Sequence, residues 1–208
     1  MITSKRHHLF YKMVLPFMRW KMLRSFRKLM ICNQISLKPN HSVLLLGNHF
    51  SWWDGFLTAY LVHFIFKKKI FTMIQEDQLQ QRKWLTWLGS FSINRTSRDM
   101  FVSMQYAANQ LDQPESSVIV FPQGSLESNH AQEIKLERGI SYLIKSIKGD
   151  CQLIYVSVLI DYFESFKPTA YFHLLDCGTN HDFDFETLKN QINNFQKQAL
   201  QNQINIKH

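Results

Sequence analysis

The first 53 residues of this 208-residue chain contain no aspartate or glutamate, yet they carry nine basic side chains: Lys5, Arg6, Lys12, Arg19, Lys21, Arg24, Arg27, Lys28 and Lys38. The remainder holds fifteen Lys/Arg against sixteen Asp/Glu, so the net charge of +8 belongs to the N-terminal segment. A segment of one sign seeks an anionic partner: a nucleic acid, an acidic protein or an anionic membrane surface. Cysteine is scarce too. Cys32, Cys151 and Cys177 are scattered without a CxxC pair, which excludes the usual zinc and redox-dithiol spacings and fits a reducing compartment. His7-His8 has no further ligands near it, so no metal is expected. Walker, HExxH and GxSxG motifs are missing. The longest apolar run near the N-terminus is "MVLPFM", far short of the roughly 20 residues that span a bilayer, and Pro16 interrupts it.

What is present in that segment is a mixture of large apolar and basic residues at near-helical spacing. Leu15, Met22, Phe26 and Leu29 fall on one side, while Arg24, Arg27 and Lys28 spread over the other. Such a helix either packs its stripe on the domain's own core or lies in a membrane interface; the missing acids and the aromatics favour the membrane. Residues 1–33 therefore read as a basic, amphipathic, membrane-associated helical segment, and 34–208 as the domain it serves. No nucleic-acid motif is visible, and basic residues sharing a helix with large apolar ones suit lipid better than nucleic acid.

Downstream, strand-like and helix-like stretches alternate. "SVLLLGNH", "KKKIFTMIQ", "GSFSINR", "SVIVFPQG", "QLIYVSVLID" and "TAYFHLLDC" read as strands. "SWWDGFLTAYLVHFIF", residues 78–88, "SRDMFVSMQYAANQL", "KLERGISYLIKSIKG" and "DFETLKNQINNFQKQALQNQI" read as helices. The alternation predicts one α/β domain with a mostly parallel or mixed sheet and helices on both faces.

Polar groups collect where strands end, which is where open α/β sheets place their sites. Asn48-His49 closes one strand, "FPQGS" closes another, and Arg95 follows a third. Asp54 sits about one turn inside the helix after His49, within reach of one imidazole nitrogen. The other nitrogen would then face the cleft as a general base, for a substrate that brings its own hydroxyl. The plainer alternative leaves Asp54 as a helix cap, with Ser51, and His49 as a turn residue. "KKK" at 67–69 reads as a solvated strand edge, or as a landing place for an acidic carrier protein or coenzyme A phosphates. Trp84 and Trp87 line either the core or an acyl groove.

Taken together and in order, "NHFSWWD", "GSFSINR", "FPQGS" and "YVSVLI" resemble the glycerolipid acyltransferase superfamily, whose lysophosphatidic acid acyltransferase-like members carry Asn-His-x4-Asp, Gly-x-x-x-Ile-x-Arg, Phe-Pro-Glu-Gly-Thr-Arg and Val-Pro-Val blocks. The resemblance spans roughly residues 40–175. It implies a glycerol-3-phosphate acyltransferase-like fold and O-acyl transfer in phospholipid biosynthesis, at the cytoplasmic face of a membrane as a peripheral or monotopic protein. The acyl thioester of coenzyme A or acyl carrier protein would be co-substrate, with no cofactor. His49 and Asp54 become the catalytic pair, Arg95 a ligand to an acceptor phosphate, and Gln123, Gly124 and Ser125 the acceptor pocket.

The departures are as informative as the matches. Gln123 stands where the family has Glu, Ser125 where it has Thr, Leu126 where it has Arg, and Ser157 where it has Pro. Leucine cannot grip a phosphate, and an amide is not an anion. These changes point to an altered acceptor, so a glycosylated or other non-phosphate hydroxyl lipid competes with lysophosphatidic acid. A lipid-binding relative without activity is the reading from another class.

Overall fold

The computed structural model describes residues 1–94 and 99–206. Helix α1 spans His8–Ser25 and β1 spans Lys28–Ile31. Then come β2 (Ser42–Gly47), α2 (Trp53–Tyr60) with a π-helical extension Leu61–Ile65, β3 (Lys69–Gln75), α3 (Glu76–Gln81), a 3-10 turn Lys83–Leu88 and β4 (Ser90–Ile93). The chain continues through α4 (Asp99–Leu111), β5 (Ser116–Val120), α5 (Gly139–Lys145), β6 (Cys151–Asp161), β7 (Thr169–Thr179) and α6 (Phe185–Ile204).

The seven strands form one mixed sheet in the order β1-β7-β6-β2-β5-β3-β4. β2, β3, β4, β5 and β6 run parallel; β7 is antiparallel to β6, and β1 is parallel to β7. β2 lies in the middle and all six of its residues are buried, which is why it reads as an unbroken apolar run. Its side chains alternate between two cores. Val43 and Leu45 meet α1 and α2, while Leu44 and Leu46 meet α4, α5 and α6. The expected helices on both faces are present.

The N-terminal segment differs from the sequence reading in two respects. The helical segment expected over residues 1–33 ends as a helix at Ser25; Phe26 is already extended. Arg27 then donates its amide to the Pro168 carbonyl at 2.7 Å, and Lys28–Ile31 pair with Thr169–Phe172. The open edge of β7 offers unpaired backbone groups, and pairing with it outweighs the helix propensity of Arg27, Lys28, Leu29 and Met30, all good helix formers. Moreover, Leu15, Met22 and Phe26, assigned above to a lipid-facing stripe, are buried in the domain's own core together with Met18. It is the opposite face of α1 that is exposed and apolar: Leu9, Met13, Phe17, Trp20 and Leu23 recur at helical spacing in water. Among the described residues, no helix is long and apolar enough to cross a membrane.

Candidate active site

β2 and β5 are adjacent and parallel, so the loops leaving their carboxyl ends meet. One loop carries Asn48 and His49, the other Phe121–Glu127. Asn48 anchors the first. Its buried amide donates to the Val158 carbonyl at 2.9 Å and accepts from the Val158 amide at 2.8 Å, which extends the β2–β6 ladder by one side chain. Truncating it orphans two buried backbone groups, at about 1–3 kcal/mol each.

The imidazole of His49 is held on three sides. Its Nδ1 lies 2.8 Å from Asp54 Oδ2, its face stacks on Phe121 with centroids 4.4 Å apart, and its own backbone is gripped by the second loop. Asp54 is wholly buried, and the His49 side chain is 27% exposed. A carboxylate only accepts, so Nδ1 carries the proton and Nε2 is left as the acceptor of the neutral ring. The alternative in which Asp54 merely caps the helix is not a separate state. The same Oδ2 also accepts from the amides of Phe50 at 2.7 Å and Ser51 at 2.8 Å, while Ser51 Oγ takes the Trp53 amide at 3.1 Å. Asp54 thus shapes the turn and orients the ring with one atom.

Gln123 does something the sequence did not reveal. It is 3% exposed and both ends of its amide are engaged within the protein. Oε1 accepts the His49 amide at 2.7 Å, and Nε2 donates to Glu127 Oε2 at 2.5 Å. Glu127 returns the contact, its own amide donating to the His49 carbonyl at 2.8 Å. Gln123 therefore braces the His49 turn, with one oxygen lone pair and one N–H of its amide engaged within the protein. Glu127, not singled out from sequence, supplies a carboxylate four residues after the position where the family keeps one. Gly124 has φ +70°, a left-handed conformation that glycine adopts without strain, and its carbonyl accepts from Gln75 Nε2 at 2.8 Å. Ser125 and Leu126 are exposed beside it. Arg95 lies outside the described residues.

An apolar recess of about 100 Å³ reaches Trp52 and Gly55, on either side of Asp54, and runs between α1, α2 and β3 past Leu15, Phe56 and Ile70. Its lining includes Leu85 and Leu88 but neither Trp84 nor Trp87; Trp87 packs edge-on against Phe10 at 5.0 Å. Tyr11 also lines the recess, its hydroxyl 3.3 Å from His63 Nδ1. Burial pushes the Tyr11 hydroxyl above, and the His63 imidazole below, its usual pKa, so both are neutral there. Trp52 is exposed at the mouth with the Arg82 guanidinium 4.1 Å from its ring centre. The basic run does not face the site. Lys68 donates to the carbonyls of His41 and Pro114, and Lys69 pairs with Glu115 at 2.6 Å, all at the amino end of β3.

Comparison with known proteins bears on the family and the fold. The protein-family model described as Acyltransferase matches residues 28–159. Among solved structures, the crystal structure of the 1-acyl-sn-glycerophosphate (LPA) acyltransferase PlsC from Thermotoga maritima is similar, with a TM-score of 0.66 at 12% sequence identity, over 95% of this chain and 81% of that one. At that identity the likeness is one of fold. A search of curated proteins finds no match.

Proposed function

This chain belongs to the acyltransferase family, and we propose that it moves a fatty acyl group from an acyl thioester, of coenzyme A or acyl carrier protein, to the hydroxyl of a lysophosphatidic acid-like membrane lipid. The observation that carries this is the 2.8 Å His49–Asp54 contact beside an apolar recess. In the proposed reaction Nε2 of His49 takes the acceptor's hydroxyl proton while the oxygen attacks the thioester carbon. The tetrahedral intermediate collapses, the C–S bond breaks, and the proton passes from His49 to the departing thiolate. Asp54 stabilises the imidazolium between these steps. No residue is acylated, and the apolar recess takes the start of the acyl chain.

A second acceptor, a hydroxyl lipid without a phosphate, is favoured by two specific features. The rim carries Leu126 in place of a cation, and the Glu127 carboxylate stands next to the catalytic turn. The test is acyl transfer from acyl-CoA and from acyl carrier protein to lysophosphatidic acid and to a glycosylated hydroxyl lipid, compared as kcat/KM. Ester formation on neither acceptor, from either donor, would leave the inactive lipid-binding relative.

Acceptor and product of this kind reside in bilayers, so the enzyme works at a membrane surface. The exposed stripe of α1, flanked by Lys12, Arg19, Lys21 and Arg24, is the face that meets it, at the cytoplasmic side. Burying a large apolar side chain contributes about 1.5–3 kcal/mol, so Phe17→Ser with Trp20→Ser weakens vesicle binding at least tenfold in co-sedimentation. Both side chains are exposed, so the fold is kept. Unchanged binding rules out this face.

A further inference from the structure

A second recess, of about 250 Å³, lies where the turn between β6 and β7, residues 162–168, folds over the start of β1. Arg27 and Lys28 line it together with Tyr162, Phe163 and Tyr171; Glu164 and Ile206 complete it. Among the described residues neither Arg27 nor Lys28 forms an ion pair. The turn above them carries three aromatic side chains in water, beside Glu164, Ser165 and Lys167: Tyr162 and Phe163 are exposed and Phe166 fully so, at 104%. Large exposed apolar patches mark interaction sites. This one is continuous with α1. Arg27 ties its backbone to Pro168 in the turn, and about one and two helical turns earlier Leu23 and Trp20 are exposed, with the Arg24 guanidinium 5.7 Å from the Trp20 ring centre. The recess also lies at the carboxyl end of β6, the end of the sheet that carries His49.

We propose that the recess formed by Arg27, Lys28 and the 162–168 turn is a binding site for the headgroup of an anionic phospholipid, used to dock the protein on the bilayer. The proposal rests on the reading that α1 lies on a membrane. Charge decides the occupant: two basic groups outside any ion pair, against the single Glu164 carboxylate of the recess, match a lipid phosphate, which guanidinium binds with paired donors. The aromatic tip decides the setting, because Tyr and Phe beside basic residues match the headgroup layer, where an acidic soluble protein gives a fully exposed phenylalanine nothing to enter. Size sets the extent. Pockets for whole small molecules run from about 300 to 1,000 Å³, so this recess takes a headgroup and leaves the acyl chains in the bilayer beside Phe166. With α1 on one side and this turn on the other, two contacts orient the His49 end of the sheet toward the lipid.

The experiment uses the full chain and two vesicle types, phosphatidylcholine alone and phosphatidylcholine with phosphatidylglycerol. The variants are Arg27→Gln with Lys28→Gln, Phe166→Ser, and, as a charge-matched control at the opposite end of the sheet, Lys145→Gln with Lys148→Gln. A basic residue near an anionic surface contributes about 1 kcal/mol, so the first pair loses about thirtyfold in affinity for anionic vesicles and keeps its binding to neutral ones. The control pair retains most of its anionic preference, and Phe166→Ser weakens binding to both vesicle types. Acyl transfer to acceptor dispersed in neutral detergent is unchanged in all three, which separates this site from the catalytic reading. Inorganic phosphate at the concentration of the lipid does not displace the protein. An anionic preference that survives the first pair, or is lost equally in the control, overturns the proposal. So does displacement by free phosphate, or loss of binding to an acidic protein with vesicle binding intact.

Discussion

His49→Ala folds and loses acyl transfer by about 10²–10⁴-fold, the usual contribution of a general base. The ring is removed from a partly exposed position, so little core is lost, while in the proposed reaction the acceptor hydroxyl loses the group that takes its proton. Asp54→Asn behaves differently. Asp54 Oδ2 accepts from His49 Nδ1 and from two backbone amides, and the side chain is wholly buried. An amide can set its one carbonyl oxygen where Oδ2 stands and still face these three donors, but it carries no negative charge, and its NH2 replaces the Oδ1 that accepts from Ser51 Oγ at 3.3 Å. The variant therefore loses activity nearly as far, because the imidazolium loses its counter-charge, and also loses stability, since a hydrogen bond to a charged group is worth about 1.5–3 kcal/mol and a neutral one about 0.5–1.5 kcal/mol. Measuring kcat beside the denaturation midpoint separates the two. If His49→Ala turns over at more than about a tenth of the wild-type rate, the base is another group. A stable Asp54→Asn would mean that the turn does not depend on the carboxylate.

That pair was legible because it is local. Five residues separate His49 from Asp54, and a strand end followed by a helix start leaves few other arrangements. "NH" and "FPQGS" could be expected to converge because both close buried strands of one sheet, and β2 and β5 are adjacent and parallel in it. The rest depended on contacts between distant segments. "FRKLMI" continues a helical pattern, and only the free edge of β7 turns it into β1. Helical periodicity showed that α1 has an apolar side but could not say which of two such sides meets the core; Leu15, Met18 and Met22 do, and Phe17 and Trp20 do not. The substitution at Gln123 was visible as a missing charge. Its meaning was not, because the amide points inward, to a backbone group on another loop and to a glutamate that no motif marks.

Gln123→Glu, the change that restores the family residue, is expected to damage this protein. In the present structure the amide of Gln123 offers an acceptor to the His49 amide and a donor to Glu127. A carboxylate keeps the first contact and loses the second. It also sets two carboxyl groups at the 2.5 Å separation now filled by Nε2 and Oε2, at a site 3% exposed. Like charges that close cannot both ionise, so the pair either shares a proton or the loop opens and releases His49. The hydrogen bond to a charged group alone is worth about 1.5–3 kcal/mol. The single variant should therefore be less stable at neutral pH by at least that amount, recover part of the loss as the pH falls and the pair takes up a proton, and lose kcat because the His49 turn is no longer braced. Glu127→Gln added to it reverses the roles: the carboxylate at 123 then accepts from both the His49 amide and the new amide at 127. The double variant is expected to regain stability and turnover, with a coupling on the order of 1–3 kcal/mol in the double-mutant cycle. Additive losses, with the double variant worse than either single one, would mean that the 123–127 contact does not hold the catalytic turn.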